Sequence, residues 1–181
     1  MKKNCIMRHV LAILFIAFLF SSCEKEFYSL SDIDQPVIFK VEYQNHAWGY
    51  SHEGYLIDKI GAIRPFDKPD EWNYPDSEGY ITYSELNQNV NQLVDVFKII
   101  DEGLLLKYLN KLYRIDPSDL SEQESTSRDA GVISYSGFIY EVEKEKYKEV
   151  KLKVAGDISY VNTNREANLI YKWLQGIYED L

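Results

Sequence analysis

The stretch with the most varied chemistry is residues 45–54, which holds two histidines, a tryptophan, a tyrosine and a glutamate. His46, His52 and Glu53 are of the kinds that bind zinc, but their spacing matches no established zinc motif. The aromatic rings are of the kinds that stack on a sugar or anchor a partner protein. Because ligands are often met at loops between strands, we predict a binding site here, formed by His46, Trp48, Tyr50 and His52. The structural alternative is a wide loop whose tryptophan covers the core.

A second polar stretch, residues 76–85, resembles the later part of an EF-hand calcium loop. A glycine stands at the position of the sharp turn, and Glu85 at that of the bidentate ligand. However, the first ligand position falls on Tyr74, and no helix is expected before it. Thr82 and Glu85 also fit a capping box, which gives the glutamate a structural role. We therefore assign no metal site from the sequence.

Signals of covalent catalysis are weak. The run ISYSG at residues 133–137 lacks the glycine that precedes the serine of a nucleophile elbow, and it lies inside a predicted strand. The cysteines are Cys5 and Cys23, so a domain that begins after them has no thiol for catalysis, disulfides or zinc. A pair of acids for glycoside hydrolysis would meet in space and not in sequence. Dispersed carboxylates, or the pair His46 and His52, leave an exported hydrolase open as the alternative function, and no catalytic residue or cofactor is assigned.

The composition indicates an acidic globular domain. The chain has 181 residues and a net charge of −9, and removal of residues 1–22 takes away three basic residues and no acid, which gives −12. This charge argues against binding to nucleic acid or to anionic lipid. The 15 tyrosines suit a half-solvated sheet, and they also suit the binding of sugars or proteins.

The elements that position these residues begin with strands. Apolar and polar residues alternate from Val37 to Gln44, which predicts a strand with Lys40 and Glu42 on its outer face. Residues 55–58 and 62–64 predict a hairpin that is joined by a glycine turn. Pro65 is expected to weaken the continuation of the second strand. Residues 66–79 are predicted to form a long surface loop.

Two helices follow in the sequence. Apolar residues recur at helical spacing from Thr82 to Ile100, which predicts one long helix. A shorter helix is predicted over 104–113, packed as a helical hairpin on the first. Residues 116–131 have the composition of a loop.

The last elements are a hairpin and a helix. Strands are predicted over 131–142 and 147–154, with Glu149 and Lys151 facing outward. A helix is predicted to start at Thr163, with a capping box to Glu166. Its buried residues are expected to be Ala167, Ile170, Trp173, Leu174 and Ile177. We expect a single α+β domain over 37–181, in which about three helices pack on one face of an antiparallel sheet built from hairpins.

The N-terminus reads as an export signal. Basic residues precede an apolar run from Val10 to Phe20, which as a helix of about 16 Å is too short to cross a hydrocarbon core of about 30 Å. Ser21, Ser22 and Cys23 follow. This layout resembles bacterial lipoprotein signal peptides, although that family usually has leucine where Phe20 stands. The resemblance implies removal of residues 1–22 and acylation of Cys23.

The same resemblance implies a lipid anchor in the outer membrane of a Gram-negative envelope, with the periplasmic and surface-facing sides both open. Residues 23–36 are expected to be the lipidated cysteine and a flexible tether. The mature part, with its tyrosine-rich hairpin and the pattern from Gly156 to Trp173, is similar to small exported lipoproteins of unassigned activity. We expect a non-catalytic binding or accessory domain for a protein or glycan partner.

Overall fold

A computed structural model describes residues 26–47, 49–126 and 128–181, and within these ranges the chain forms a nine-stranded sheet with three α-helices. The strands are β1 Val37–Asn45, β2 Ser51–Asp58, β3 Ala62–Asp67, β4 Tyr80–Ile81, β5 Lys98–Ile99, β6 Glu124–Ser125, β7 Val132–Glu141, β8 Lys146–Gly156 and β9 Ile158–Val161. The helices are α1 Tyr83–Asn91, α2 Glu102–Leu112 and α3 Arg165–Asp180. The strand order is β5-β3-β2-β1-β7-β8-β9-β6, with β4 paired to β8, and the paired strands are antiparallel. The predicted α+β class is confirmed.

The hairpin between β2 and β3 forms as predicted. Gly61 closes its turn with φ of +80°, a conformation that costs glycine little. The prediction at Pro65 is wrong, because β3 continues through this residue, which pairs with Tyr55. The proline is tolerated because β5 pairs with β3 only at Ala62 and Ile63, so the other side of β3 is a sheet edge at Pro65.

The first helix is shorter than predicted. The capping box of Thr82 and Glu85 starts α1, but the helix ends at Asn91 instead of Ile100. Residues 98–99 become β5 and hydrogen-bond to the edge of the sheet. The helical spacing of apolar residues therefore continues past the end of the helix itself. The helix stops early because residues 98–99 pair with β3 instead of forming further helical turns.

The helices divide between the two faces of the sheet. Helices α2 and α3 pack on one face, where Leu105, Leu109 and Leu112 of α2 are buried as predicted. Helix α1 joins a smaller cluster on the other face, through Leu86. The first two helices therefore do not form the expected helical hairpin. The three helices also do not share one face, because α1 covers the face opposite α2 and α3.

The larger apolar cluster lies beneath α2 and α3. Phe39 and Val41 of β1 and Tyr55 of β2 are completely buried in it. The Tyr55 hydroxyl donates a hydrogen bond of 2.6 Å to the carbonyl oxygen of Leu174 in α3. At Gly137 of β7, a β-carbon would lie 2.6 Å from the Leu112 side chain, so glycine permits this close approach of α2. These contacts fix both helices against the middle of the sheet.

The described part of the predicted tether is packed against the domain. Phe27 and Ile33 are each 4% exposed, and a 3₁₀ turn forms at Leu30–Asp32. The backbone of Phe27 exchanges two hydrogen bonds with the side chain of Asn110 in α2, at 2.8 and 2.9 Å. The domain therefore begins at or before Phe27, because two apolar side chains within a polar stretch complete the core.

The cap of the last helix lies one residue later than predicted. Asn164 caps α3 by accepting a hydrogen bond from the Glu166 amide, whereas the Thr163 hydroxyl donates to the carbonyl oxygen of Asp119. Ala167, Ile170 and Leu174 are buried as predicted, whereas Trp173 and Ile177, for which the sequence also predicts burial, are only partly buried against the cluster. None of the helices in the described ranges has the length and apolar character needed to cross a bilayer.

Candidate functional site

Strands β1, β7 and β8 place a set of charged side chains on the sheet face opposite α2 and α3. Lys40 and Glu42 alternate with the core residues of β1, and Lys40 pairs with Ser136 across β7. Ser136 in turn pairs with Lys151 of β8, and Glu149 lies two residues from Lys151 in the same strand. The expectation that these strand positions face solvent is wrong for Lys40, Glu42 and Glu149, whose exposures are only 4%, 6% and 8%.

These side chains form a buried ionic network centred on Lys40. The Lys40 ammonium lies 2.9 Å from Glu42 Oε2 and 3.1 Å from Glu149 Oε1, so it bridges the two carboxylates. Glu149 also accepts a hydrogen bond of 2.8 Å from Ser136 Oγ and lies 2.8 Å from the Lys151 ammonium. We call Lys40, Glu42, Ser136, Glu149 and Lys151 the ionic network. Two cations face two anions, so the charges balance.

Each of the three buried ionisable groups is held in its charged form. Burial alone would lower the pKa of Lys40, but the carboxylates of Glu149 and Glu42 outweigh it and raise the pKa well above its ordinary value. Burial would raise the pKa of Glu42, but Lys40 and hydrogen bonds from His52 and Lys40 hold it well below the ordinary range. For Glu149, burial is likewise outweighed by Lys40 and Lys151, which lower the pKa to about 2.

The charge states limit what the ionic network can do chemically. A general acid must be protonated near neutral pH, and a lysine nucleophile must lose its proton. Glu42 and Glu149 remain carboxylates and Lys40 remains an ammonium, because each stabilises the charge of the others. The arrangement therefore suits a fixed set of hydrogen-bond donors and acceptors better than a proton relay.

His52 extends the network towards the aromatic side chains. Its Nε2 lies 2.8 Å from Glu42 Oε1, and because a carboxylate oxygen only accepts, Nε2 donates this hydrogen bond. The ring is completely buried, and its Nδ1 has no hydrogen-bond partner among the described residues. His52 lies within β2 and not in a loop, so the hairpin between β1 and β2 is narrower than the predicted 45–54 loop.

An aromatic cluster surrounds His52 and forms one edge of the site. The centroid of the His52 ring lies 5.1 Å from that of Phe66, 5.3 Å from Trp72 and 6.0 Å from both Tyr50 and Tyr74. We use the name aromatic cluster for these five rings. Tyr50 and Tyr74 are 47% and 46% exposed, so their rings are open to solvent on one side. The cluster thus joins the hairpin tip to the loop that follows β3.

An open cleft of about 400 Å³ lies over the ionic network and beside the aromatic cluster. Its lining residues come from β1, β7, β8, β9 and the loop before β4, and they are Lys40, Glu42, Gln44, Tyr74, Pro75, Asp76, Ser77, Gly79, Val132, Ser134, Glu149, Lys151, Val154, Ile158 and Tyr160. The Tyr74 hydroxyl accepts a hydrogen bond of 3.1 Å from Gln44 Nε2, which fixes the ring at the mouth. The volume falls within the range of small-molecule sites, about 300–1,000 Å³.

The structure brings some of the predicted site residues together. Tyr50 contacts both His46 and His52, with ring centroids 5.2 and 6.0 Å apart. His46 is exposed at the hairpin tip and His52 is buried, so the two histidines lie on either side of Tyr50. Trp48 and the predicted lipid-bearing Cys23 lie outside the described residues.

The segment that resembles an EF-hand forms a turn and a helix cap. Asp76 Oδ1 accepts hydrogen bonds from the amides of Glu78 and Tyr80, at 3.0 and 2.9 Å. Glu85 Oε2 accepts from the Thr82 amide at 2.9 Å, and Thr82 Oγ1 accepts from the Glu85 amide at 3.3 Å, as the capping-box interpretation predicts. Over the described ranges, the side chains of three or more His, Cys, Asp or Glu residues nowhere gather as a metal site would require.

Sequence reasoning missed the ionic network, although a signal for it exists. Lys40 and Glu42 lie two residues apart in one strand, so they share a face. Glu149 and Lys151 lie two residues apart in another strand, with the acid first and the base second. Opposite charges on one face of neighbouring strands are expected to pair. The pairing of β1, β7 and β8 was needed to show that both strands flank the same third strand.

Comparison of the chain with protein-family models, with curated proteins and with solved structures found no match, so the site is interpreted from its own geometry.

Proposed function

We propose that this chain is a lipid-anchored envelope protein whose folded domain is a non-catalytic binding module, and that the cleft over the ionic network binds a glycan. The observation that carries the glycan proposal is the pair of exposed rings, Tyr50 and Tyr74, beside a cleft with buried ionic groups. Sugars present C–H faces that pack on aromatic rings and hydroxyls that bond to charged groups. The cleft offers both kinds of surface.

The fixed charges favour binding over hydrolysis. An exported hydrolase acting through Glu42 and Glu149 would need one of these carboxyls to be a proton donor. Both are stabilised as carboxylates by Lys40, and each also accepts a hydrogen bond, from His52 or from Ser136. Such groups hold a ligand hydroxyl in one orientation, because they do not rearrange when it arrives.

The shape of the site favours a glycan over a protein partner. Protein interfaces place apolar side chains at their centre and polar groups at the rim. Here the cleft is lined by five charged residues, which are Lys40, Glu42, Asp76, Glu149 and Lys151, and the exposed ring of Tyr74 lies beside them. A narrow oligosaccharide chain fits this arrangement better than the broad surface of a folded protein.

A glycan microarray tests the proposal. The protein is extracted from membranes in a polyoxyethylene detergent, which carries no sugar, and applied to oligosaccharides of bacterial and host origin. We expect binding to a set of related oligosaccharides that falls about 5-fold or more with Tyr74→Ala, because the loss of one stacking ring costs about 1–3 kcal/mol when a nucleic-acid base is the ligand. Tyr28→Ala is the matched control, because Tyr28 is 79% exposed and is not part of the cleft lining.

Two results would count against the proposal. The first is a wild-type protein that binds no oligosaccharide on the array. The second is a Tyr28→Ala variant that loses as much binding as Tyr74→Ala. Release of shortened oligosaccharide by the wild type would support the hydrolase instead.

The anchor is tested separately, by fractionating cells that make each of two cysteine variants. The layout of residues 10–23 supports acylation of Cys23, and more than one acyl chain is required for lasting attachment to a bilayer. Cys23→Ser is expected to move the protein from the membrane fraction to the soluble fraction. Cys5→Ser is the matched control and is expected to leave the protein with the membranes. Equal attachment of the two variants would contradict the lipid anchor.

A further inference from the structure

We propose that a second cavity, at the other end of β7 and β8 from the cleft, binds an organic ammonium ion. The cavity has a volume of about 330 Å³. Four of its lining residues are tyrosines, and three are acidic, namely Asp32, Asp34 and Glu145. Asp32 already accepts hydrogen bonds from the amides of Tyr28 and Ser29. We call this the tyrosine pocket. It shares no residue with the cleft, so it does not depend on the glycan proposal.

The tyrosine rings come from separate elements and are held by contacts. Tyr140 and Tyr147 face each other across the β7–β8 hairpin, with ring centroids 5.2 Å apart and planes at 53°. The Tyr113 hydroxyl, after α2, accepts a hydrogen bond of 3.2 Å from the Tyr140 amide and donates one of 3.1 Å to Gln35 Oε1. Tyr83, at the start of α1, completes the set. The pocket is therefore built before any ligand arrives.

The rings present neutral aromatic faces. Burial, the hydroxyls of Tyr113 and Tyr140 and the charge of Asp34 together raise the pKa of Tyr147 to about 12. Burial also raises the pKa of Tyr113. A neutral aromatic face attracts a cation through its quadrupole, and rings grouped in this way are the usual binding surface for quaternary ammonium groups.

The charge around the pocket also favours a cationic ligand. Asp34 and Glu145 form no ion pair with another described residue, and the lining contains no lysine or arginine. The two nearest lysines in sequence are directed elsewhere, since Lys144 lies over the Tyr80 ring and Lys146 pairs with Asp76. The carboxylates of Asp34 and Glu145, beside four neutral rings, thus lack a cation from the described residues.

These features together select an alkylated ammonium over a metal ion. A metal ion such as calcium takes six to eight oxygen ligands, whereas this pocket offers mainly ring faces. An alkylated ammonium combines a positive charge with methyl groups that pack on the rings. A free choline-like amine and a lipid headgroup share this chemistry, and the experiment distinguishes them.

The test measures the dissociation constant of choline by ligand-observed NMR with the detergent-solubilised protein. Its neutral isostere, 3,3-dimethylbutanol, is titrated in parallel. We expect choline to bind and the isostere to bind at least about 5-fold more weakly, because the cation–ring attraction requires the charge. Tyr140→Leu is expected to weaken choline by about 2- to 30-fold. Glu145→Gln is expected to weaken it in the same direction.

The matched control for charge is Glu143→Gln, since Glu143 lies exposed in the same hairpin turn and outside the pocket lining. Equal binding of choline and its isostere would overturn the proposal, as would equal losses in Glu143→Gln and Glu145→Gln. Thermal unfolding of each variant shows whether it is folded, and Tyr140→Phe, which keeps the ring, is expected to retain binding. Vesicles with and without choline headgroups then form the second arm. Binding of free choline alone assigns a soluble amine, and preference for the headgroup vesicles assigns a lipid.

Discussion

The two faces of the central strands are both covered, but by opposite chemistry. On one face of β1, Phe39 and Val41 lie in the large apolar cluster under α2 and α3. On the other, Lys40 and Glu42 lie in the ionic network beside the aromatic cluster, to which His52 joins it. Neighbouring residues of one strand are thus equally buried for different physical reasons.

The difference shows which face supplies most of the stability. Burial of apolar area stabilises the fold by about 25 cal/mol per Å², so the large cluster is the main favourable contribution. A buried ion pair roughly balances its Coulomb attraction against desolvation. The ionic network therefore adds little net stability but is costly to break.

The largest effect is expected from Lys40→Met, which leaves Glu42 and Glu149 buried without their shared cation. The free energy of unfolding should fall by about 3–5 kcal/mol at pH 7. Urea unfolding followed by circular dichroism measures it. The loss should shrink at pH 4, where the unpaired carboxyls take up protons and cease to be buried charges. A loss that is the same at both pH values would contradict the ionic description of this face.

The matched change on the apolar face is Leu109→Ala. Leu109 is completely buried under the sheet, so its truncation should cost about 2–5 kcal/mol. The loss should be the same at pH 7 and pH 4, since no titratable group is involved. The same urea measurement compares the two faces directly, and a pH-dependent loss here would remove the contrast.

The wild-type protein should also lose stability in acid. The pKa of Glu149 is lowered to about 2 in the folded protein from an ordinary 4.5, so its charge stabilises the fold above pH 4.5. This contribution disappears as the pH falls from about 4.5 towards 2, because protonation is then favoured in the unfolded chain first. In Glu149→Gln the decline over this range should be shallower. An identical pH profile in both proteins would show that Glu149 does not carry the effect.

The smallest effect is expected from Thr82→Ala, at the cap of the helix that covers the ionic face. Loss of the capping box should reduce the free energy of unfolding by about 1 kcal/mol, independently of pH above 5. Thermal unfolding measures it. Ser84→Ala is the control, because Ser84 is exposed and lies two residues after Thr82. It should change the free energy of unfolding by less. Equal losses would contradict the capping role.

Local patterns predicted much of the fold. The hairpin at Gly61, the cap at Thr82, the buried stripe of α2 and the buried face of α3 all follow from spacing and turn chemistry. The errors arise where another part of the chain competes. Residues 98–99 continue a helical pattern but pair with the edge of β3, and Phe27 lies in a polar stretch but completes the core.

The candidate site was harder to predict, since its parts meet only after folding. The stretch with two histidines and two aromatic rings does fold next to the candidate site, since the His52 ring lies 6.0 Å from Tyr50 and 6.0 Å from Tyr74, which lines the cleft. Lys40 and Glu149, however, read as solvent-facing positions of separate strands. Their burial follows from the cover provided by distant segments, which a periodic pattern within one strand cannot reveal.

The central claim is that the buried carboxylates of the ionic network hold fixed charges and do not act as proton donors. Carbon-13 NMR of labelled glutamate side chains, assigned with Glu42→Gln and Glu149→Gln, measures their titration directly. The account predicts that both carboxyls stay ionised from pH 8 down to below pH 4. A carboxyl of either residue that takes up its proton between pH 5 and 8 would contradict this account and favour the exported hydrolase.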